Sequence, residues 1–215
     1  MEFKLTGLDW VTLTIPFKGD RPYLQSANVW DAVCDFILSD DFTGTKEFQK
    51  EDVMLDIVFK RLIHSKVELY LSESRPLADK NMVAQIILTT KGKKRLFGLL
   101  RSTGLEETER LVDMENSFRQ DVKINKTGSI YKKNIQLSLS QIFVAMVKFW
   151  HQDVVDKDCK WLATRLQLPL LYHKAKPKLI LTNTSIILKD GLGSITDVGV
   201  DSVNDLAGRI YFYKT

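Results

Sequence analysis

Apolar residues in this chain come in short bursts separated by polar turns, and their spacing switches between two periods. Trp10–Phe17 (WVTLTIPF) alternates as a strand does and ends at a Lys18-Gly19-Asp20 turn. Ser26-Ala27-Asn28 then opens a segment in which Val29, Trp30, Val33, Phe36 and Ile37 fall on one helical face. Ser26 is the expected N-cap, and the helix should end near Ser39, before the polar run DDFTGTKEFQKE. Four strand patterns follow: Val53–Leu62, Val67–Ser72, Met82–Thr90 and Arg95–Leu100. The last two flank Lys91-Gly92-Lys93-Lys94, a hairpin-like loop. The order predicts a strand, a helix and then an antiparallel meander.

Leu105–Arg119 (LEETERLVDMENSFR) is acidic and helix-favouring, and is expected to connect two halves. The second half repeats the order of the first. Gln120–Asn125 and Ser129–Tyr131 are strand-like, and Leu137–Gln152 has a second apolar helical face. Further strands are expected near Trp161–Leu168, Lys178–Thr182, Ser185–Lys189 and Arg209–Tyr213. Trp30–Phe36 (WDAVCDF) can be laid on Phe143–Phe149 (FVAMVKF) without a gap, and Leu62–Leu69, with His64, echoes Leu171–Leu179, with His173. These echoes predict a tandem repeat. The expected boundaries are residues 1–104, an acidic connecting helix or linker over 105–120, and residues 121–215.

Composition narrows the class. The chain has 215 residues, 44% of them hydrophobic and 27% charged, an ordinary globular balance able to bury a sizeable core. No apolar run approaches the ~18–20 residues needed to span a bilayer, and MEFKLTGLDW does not read as a signal peptide. Cys34 and Cys159 belong to no CxxC pair, so no metal site is expected. Two lone thiols fit a reducing compartment, which makes the cytoplasm the expected location. The net charge of +4 is uneven: residues 121–215 carry 14 basic and 8 acidic side chains. That balance permits an anionic ligand without requiring one.

A helix followed by an antiparallel meander, with one strand before it, resembles the hot-dog fold, and two copies in one chain resemble a double hot-dog. The resemblance implies an α+β chain of two tandem repeats, each a helix wrapped by an antiparallel sheet. It also implies handling of acyl thioesters, as by thioesterases and hydroxyacyl-thioester dehydratases, with acyl-CoA or an acyl-carrier protein as partner and no cofactor. The dehydratase pattern resembles H-F-P-G-x-P, then a helix carrying an acid followed by Ala. Here Phe17-Lys18-Gly19-Asp20-Arg21-Pro22 occupies the first stretch and Asp31-Ala32 the second, so Phe17 stands where the histidine would be. In the second half Val144 takes the acid position. Acid–base dehydration needs a group that takes and returns a proton, and the chain departs from the pattern there. A thioesterase of this type needs one carboxylate to activate water or to attack, which leaves Asp31 as the candidate catalytic residue. Phe17, Tyr23 and Trp30 are the expected lining of the ligand mouth. Asp31 and Asp35 also fit an ordinary solvated helix face, and a shape retained without its chemistry is an equal expectation.

Other constellations are sparse. His64, His151 and His173 are not spaced as a helical metal pair, and the places of His64 and His173 suggest structural roles. There is no G-x-S-x-G elbow and no phosphate-binding glycine loop. Gly191-Leu192-Gly193 reads as a turn. Asp158–Pro169 has the look of a first helix-turn-helix helix, but Pro177 interrupts its sequel. The alternative to acyl-thioester handling is a small nucleic-acid- or protein-binding module, as in a mobile element or defence-related system. Its contacts would be Lys91, Lys93, Lys94, Arg95, Lys174 and Lys176, with Tyr131 and Tyr172 stacking on bases. A membrane role is not expected; an oligomer is compatible with either reading.

Overall fold

The computed structural model describes residues 10–42, 48, 53–77, 79–91, 95–105, 110–112, 114–132, 137–187, 192–201 and 207–215. The chain divides into two compact units, Met1–Val112 and Asp113–Thr215. Each combines one α-helix with a mainly antiparallel sheet, so the architecture is α+β.

In the first unit the expected strand Trp10–Phe17 is interrupted: β1 is Val11–Leu13 and β2 is Phe17–Lys18. Pro16 stands just before β2, where its lack of an N–H removes a ladder donor. Helix α1 spans Ser26–Leu38. Gln25, not Ser26, holds the N-cap position and makes no side-chain cap hydrogen bond. Val29, Trp30, Val33, Cys34 and Ile37 are fully buried, as the 3.6-residue period dictates. Asp35 is exposed and Asp31 half-buried.

The four strands after α1 lie close to their expected places: β3 is Met54–Phe59, β4 Val67–Ser72, β5 Met82–Thr89 and β6 Arg95–Ser102. Their pairing corrects the meander. The sheet runs β1-β4-β6-β5-β3, so β6 sits between β4 and β5. Both neighbours are antiparallel to β6, so β4 and β5 point the same way and cannot form a hairpin. A two-residue strand β7, Arg110–Leu111, pairs in parallel with β2.

In the second unit the expected acidic helix is absent as a single element. Its end forms a 3-10 helix, Glu115–Asp121, and Gln120 belongs to that helix rather than to a strand. Residues 106–109 and 113 lie outside the described residues. Strands β8 (Lys123–Ile124) and β9 (Gly128–Tyr131) precede α2, Leu139–Trp150. Ser138 caps α2 by accepting from the Gln141 N–H. The helix unwinds into a π-helical turn over His151–Val155. Strands β10 (Trp161–Pro169), β11 (Ile180–Ile187), β12 (Gly193–Val200) and β13 (Gly208–Lys214) complete the sheet in the order β8-β9-β11-β12-β13-β10. Here β11, β12 and β13 do form a meander. Asp158–Pro169 contains strand β10, which removes the helix-turn-helix reading. The two strand patterns Lys178–Thr182 and Ser185–Lys189 are one strand, broken by a register shift between Thr184 and Ile186.

The core of the second unit is aromatic. Phe118 stands 5.1 Å from Tyr131 and 5.7 Å from Phe149, and Phe143 lies 5.6 Å from Tyr172. The 3-10 helix is held to α2 by a Lys148–Glu115 ion pair of 2.7 Å, and to the π turn after it by Arg119, which donates to Gln152 at 2.7 Å and to Asp153.

Candidate functional site

In the first unit the segment from Phe17 to Gln25 is pinned before it enters α1. β2 pairs with β7, and the Gly19 N–H donates to Leu111 O at 2.8 Å. Gly19 has φ +59°, a left-handed conformation that glycine adopts without the Cβ penalty. Arg110 Nη1 donates to the carbonyls of Gly19 (2.9 Å) and Arg21 (3.4 Å), and its guanidinium lies 5.4 Å from the centre of the Phe17 ring. At the far end the Leu24 N–H donates to Ile63 O at 2.8 Å. His64 Nδ1 is 2.6 Å from the Pro22 carbonyl. A carbonyl can only accept, so Nδ1 carries the proton. The Tyr23 ring meets the His64 ring edge-on at 6.4 Å.

The expected mouth residues therefore occupy different environments. Phe17 and Trp30 are 4% and 0% exposed and belong to the core. Tyr23 is half-buried beside the exposed His64. Asp31 lies on the second turn of α1, past the pinned segment, with part of its surface open. Cys34, one turn further on, is buried; its pKa is pushed well up by desolvation first, then by the charges of Asp31 and Asp35. The thiol stays protonated and unreactive. His64 and His173 both follow the first strand after their unit's helix. His64 lies between β3 and β4, and His173 closes the 3-10 turn Leu170–His173 between β10 and β11.

The candidate nucleic-acid contacts also sort by position. Lys91 and Arg95 are exposed at the β5–β6 turn, and Lys93 and Lys94 lie outside the described residues. Lys174 and Lys176 are exposed ahead of β11. The proposed stacking partners are corrected: Tyr131 is 0% and Tyr172 3% exposed, held against Phe118 and Phe143. Among the described residues the exposed aromatic side chain is Tyr213 on β13, with Tyr211 half-buried beside it, where the sequence pattern marks only a strand.

Two further clusters are not visible as pairs in the sequence. His151 is 0% exposed and caged by Trp161 (4.2 Å), Trp150 (5.1 Å) and Phe212 (5.3 Å). Its Nδ1–H donates to Val147 O at 2.7 Å, which leaves Nε2 to accept from the Ser194 hydroxyl at 2.5 Å. Burial lowers its pKa to about 4, against a small opposing effect of the Val147 bond. A Ser–His pair would interest a hydrolase, but Ser194 is 1% exposed, and the group orienting the ring is a carbonyl rather than a carboxylate. The pair is a polar link in the core. At the C-terminus, Asp156 accepts from the Cys159 thiol (2.8 Å) and Lys214 (3.0 Å). The Cys159 bond chiefly, then Lys214 and the Asp158 N–H, lower the Asp156 pKa to about 2.

An open depression of about 580 Å³ lies between the 3-10 helix, β8 and the π turn, lined by Asn116, Ser117, Arg119, Gln120, Val122, Ile124 and Asp153. Its one cation, Arg119, is committed to Gln152 and Asp153 and lies 4.9 Å over the Phe149 ring. Among the described residues no three His, Cys, Asp or Glu side chains cluster as metal ligands, and no helix is long and apolar enough to cross a membrane.

No sequence-family model matches the chain, and no curated protein matches it in sequence. Solved structures do resemble it in architecture. The 12:0-ACP thioesterase from Umbellularia californica is 13% identical, with 96% of each chain covered and a TM-score of 0.41. An acyl-ACP thioesterase from Bacteroides thetaiotaomicron is 8% identical, covering 94% of this chain and 95% of its own, with a TM-score of 0.46. The dehydratase domain from the CurJ module of the curacin polyketide synthase is 11% identical, covering 97% and 86%, with a TM-score of 0.43. These likenesses extend along the chain and to no particular residue.

Proposed function

We propose that this chain is a double hot-dog-like protein that binds an acyl thioester or a similarly elongated ligand, with Asp31 as its candidate acid. The reading of two repeats draws support from shared order. In each unit the helix is followed by four strands of the main sheet, and the first of those four lies at the far side of that sheet from a pre-helix strand, β1 or β9. The observation that carries the functional reading is the pinned segment Phe17–Gln25 feeding directly into a helix that presents one half-open carboxylate. Such a segment holds its shape while a ligand comes and goes, because Arg110, Leu111 and Ile63 fix its backbone. Acyl-CoA or an acyl-carrier protein would be the partner, and the cytoplasm the location. With Phe17 where a dehydratase base would stand, the chemistry open to the site is water activation or attack by Asp31, or binding alone.

The test combines hydrolysis and binding. The full chain is assayed for thiol release from acyl-CoA of several chain lengths, and for binding of a non-hydrolysable acyl-CoA thioether. Hydrolysis abolished by Asp31→Asn supports an enzyme, and thioether binding without hydrolysis supports a retained binding shape. Absence of both, at substrate concentrations well above those of typical enzymes, would overturn the reading.

A further inference from the structure

We propose that the outer face of the second unit's sheet is a stacking platform for single-stranded nucleic acid. This inference is independent of Asp31 and of acyl-thioester binding.

The platform is centred on β13, an interior strand of the sheet. Gly208, Ile210 and Phe212 are buried, so Arg209, Tyr211 and Tyr213 share the opposite, outward face. Tyr213 is 41% exposed and the Arg209 side chain 48%. Cross-strand neighbours extend the face. Leu162 lies opposite Tyr213, Arg165 and Ile195 flank Tyr211, and Gln167 and Asp197 flank Arg209. The Arg165 guanidinium sits 4.8 Å over the Tyr211 ring, and Arg209 is steadied by Asp197 at 2.8 Å.

Spacing and charge suit a strand of nucleotides. Side chains two apart on a strand stand about 6.8 Å from one another, twice the ~3.4 Å rise of stacked bases and close to the step of an extended single strand. Aromatic rings and guanidinium planes on an open antiparallel sheet take bases by stacking, with little sequence preference. A charged supply for the phosphates lies at one end of the row. Gln167 pairs with Arg209, Val198 with Gly208, and Ile180 with Val200. The end of β10, the start of β11 and the start of β13 therefore meet at the Arg209 end of the sheet. The segment entering β11 there presents Lys174, Lys176 and Lys178, all exposed. It is fixed rather than loose: Asp201, in a left-handed turn with φ +57°, accepts from the N–H groups of Lys178 (3.0 Å) and Leu179 (3.1 Å). A duplex presents its bases inside grooves too narrow for a flat sheet, so the platform should prefer single strands.

The experiment is fluorescence anisotropy of the full chain against labelled oligouridylate, oligothymidylate and a DNA duplex, each about 12 nucleotides or base pairs long. Both single strands should bind at low salt and the duplex at least tenfold more weakly. Tyr211→Ala with Tyr213→Ala should cost tenfold or more, since each stacked base is worth roughly a fivefold to hundredfold factor. Tyr211→Phe with Tyr213→Phe, which keeps both rings and the fold, should bind within about twofold of wild type. Lys174→Ala, Lys176→Ala and Lys178→Ala together should lower the log–log salt slope by about 2, at ~0.7 for each phosphate no longer neutralised. The proposal is overturned if neither single strand binds, if the duplex binds as well, if a folded alanine pair binds as wild type, or if the phenylalanine pair loses binding.

Discussion

His151 should make the fold acid-sensitive by an amount that its environment sets. Its ring is enclosed by three aromatic side chains, and both nitrogens are engaged as the neutral tautomer requires. Protonation would put a charge into that cage and force the Ser194 hydroxyl to turn from donor to acceptor. The folded pKa is lowered from 6.5 to about 4, while the unfolded chain keeps the ordinary value. The unfolded state therefore binds the proton more readily. The stabilisation is fully present above about pH 6.5, is lost progressively as pH falls, and levels off below about pH 4. At ~1.36 kcal/mol per pH unit the whole effect is about 3 kcal/mol, of which about 2 kcal/mol disappears between pH 7 and pH 5. The assay is urea unfolding followed by circular dichroism at those two pH values, for wild type and His151→Gln. The variant will be less stable at pH 7, but its pH dependence should be shallower than wild type by about 2 kcal/mol. An unchanged pH dependence in the variant would refute the assignment of the titration to His151.

Two further outcomes follow from buried contacts in the same unit. Lys148→Ala removes the 2.7 Å cation beside Glu115, which is 5% exposed, and should cost about 1–2 kcal/mol in urea unfolding, whereas Lys148→Met with Glu115→Gln should recover more than half of that loss. Gly128→Ala should fail to form the β9–β11 pairing, because a Cβ there would stand 1.9 Å from the Thr182 carbonyl oxygen; a loss of about 3 kcal/mol or more, with hydrogen exchange rising at Ser129 and Thr182, is the expected result.

The two helices are legible in the sequence because their buried faces are almost wholly apolar. Val29, Trp30, Val33 and Ile37 in α1, and Ile142, Phe143, Met146, Val147 and Trp150 in α2, keep the 3.6-residue period without interruption. Strand β12 is not legible because its inward positions are polar. Ser194 and Thr196 point into the core, where they meet His151 and Thr184, so the alternation that marks a strand is inverted over half of its length. Gly193, which reads as part of a turn, begins that strand. The acidic stretch near 105–120 has helical composition, yet Arg110 is drawn into β7 and onto the Gly19 and Arg21 carbonyls by contacts that no local pattern encodes. Of the candidate site, the place of Asp31 on a helix face is readable from periodicity. The burial of Phe17 and Trp30 and the clamping of Pro22 by His64 depend on tertiary contacts, across 42 residues of sequence in the latter case. The outward tyrosines of β13 are hidden by a run, RIYFYK, whose aromatic residues fall on both faces.

The placement of β6 between β4 and β5 bears on how the halves of this chain can be compared with each other. In the second unit β11 lies between β9 and the next strand in sequence, β12; in the first, β4 lies between β1 and β6, with β5 passed over. The terminal hairpin is thus set into one sheet in the opposite order from the other. A collinear alignment of the halves matches like with like through the helix and the two strands after it, and beyond Ser72 it pairs segments that occupy different berths. A comparison of the two halves is therefore meaningful only from β1 through β4 against β9 through β11, where order in sequence and place in the sheet coincide.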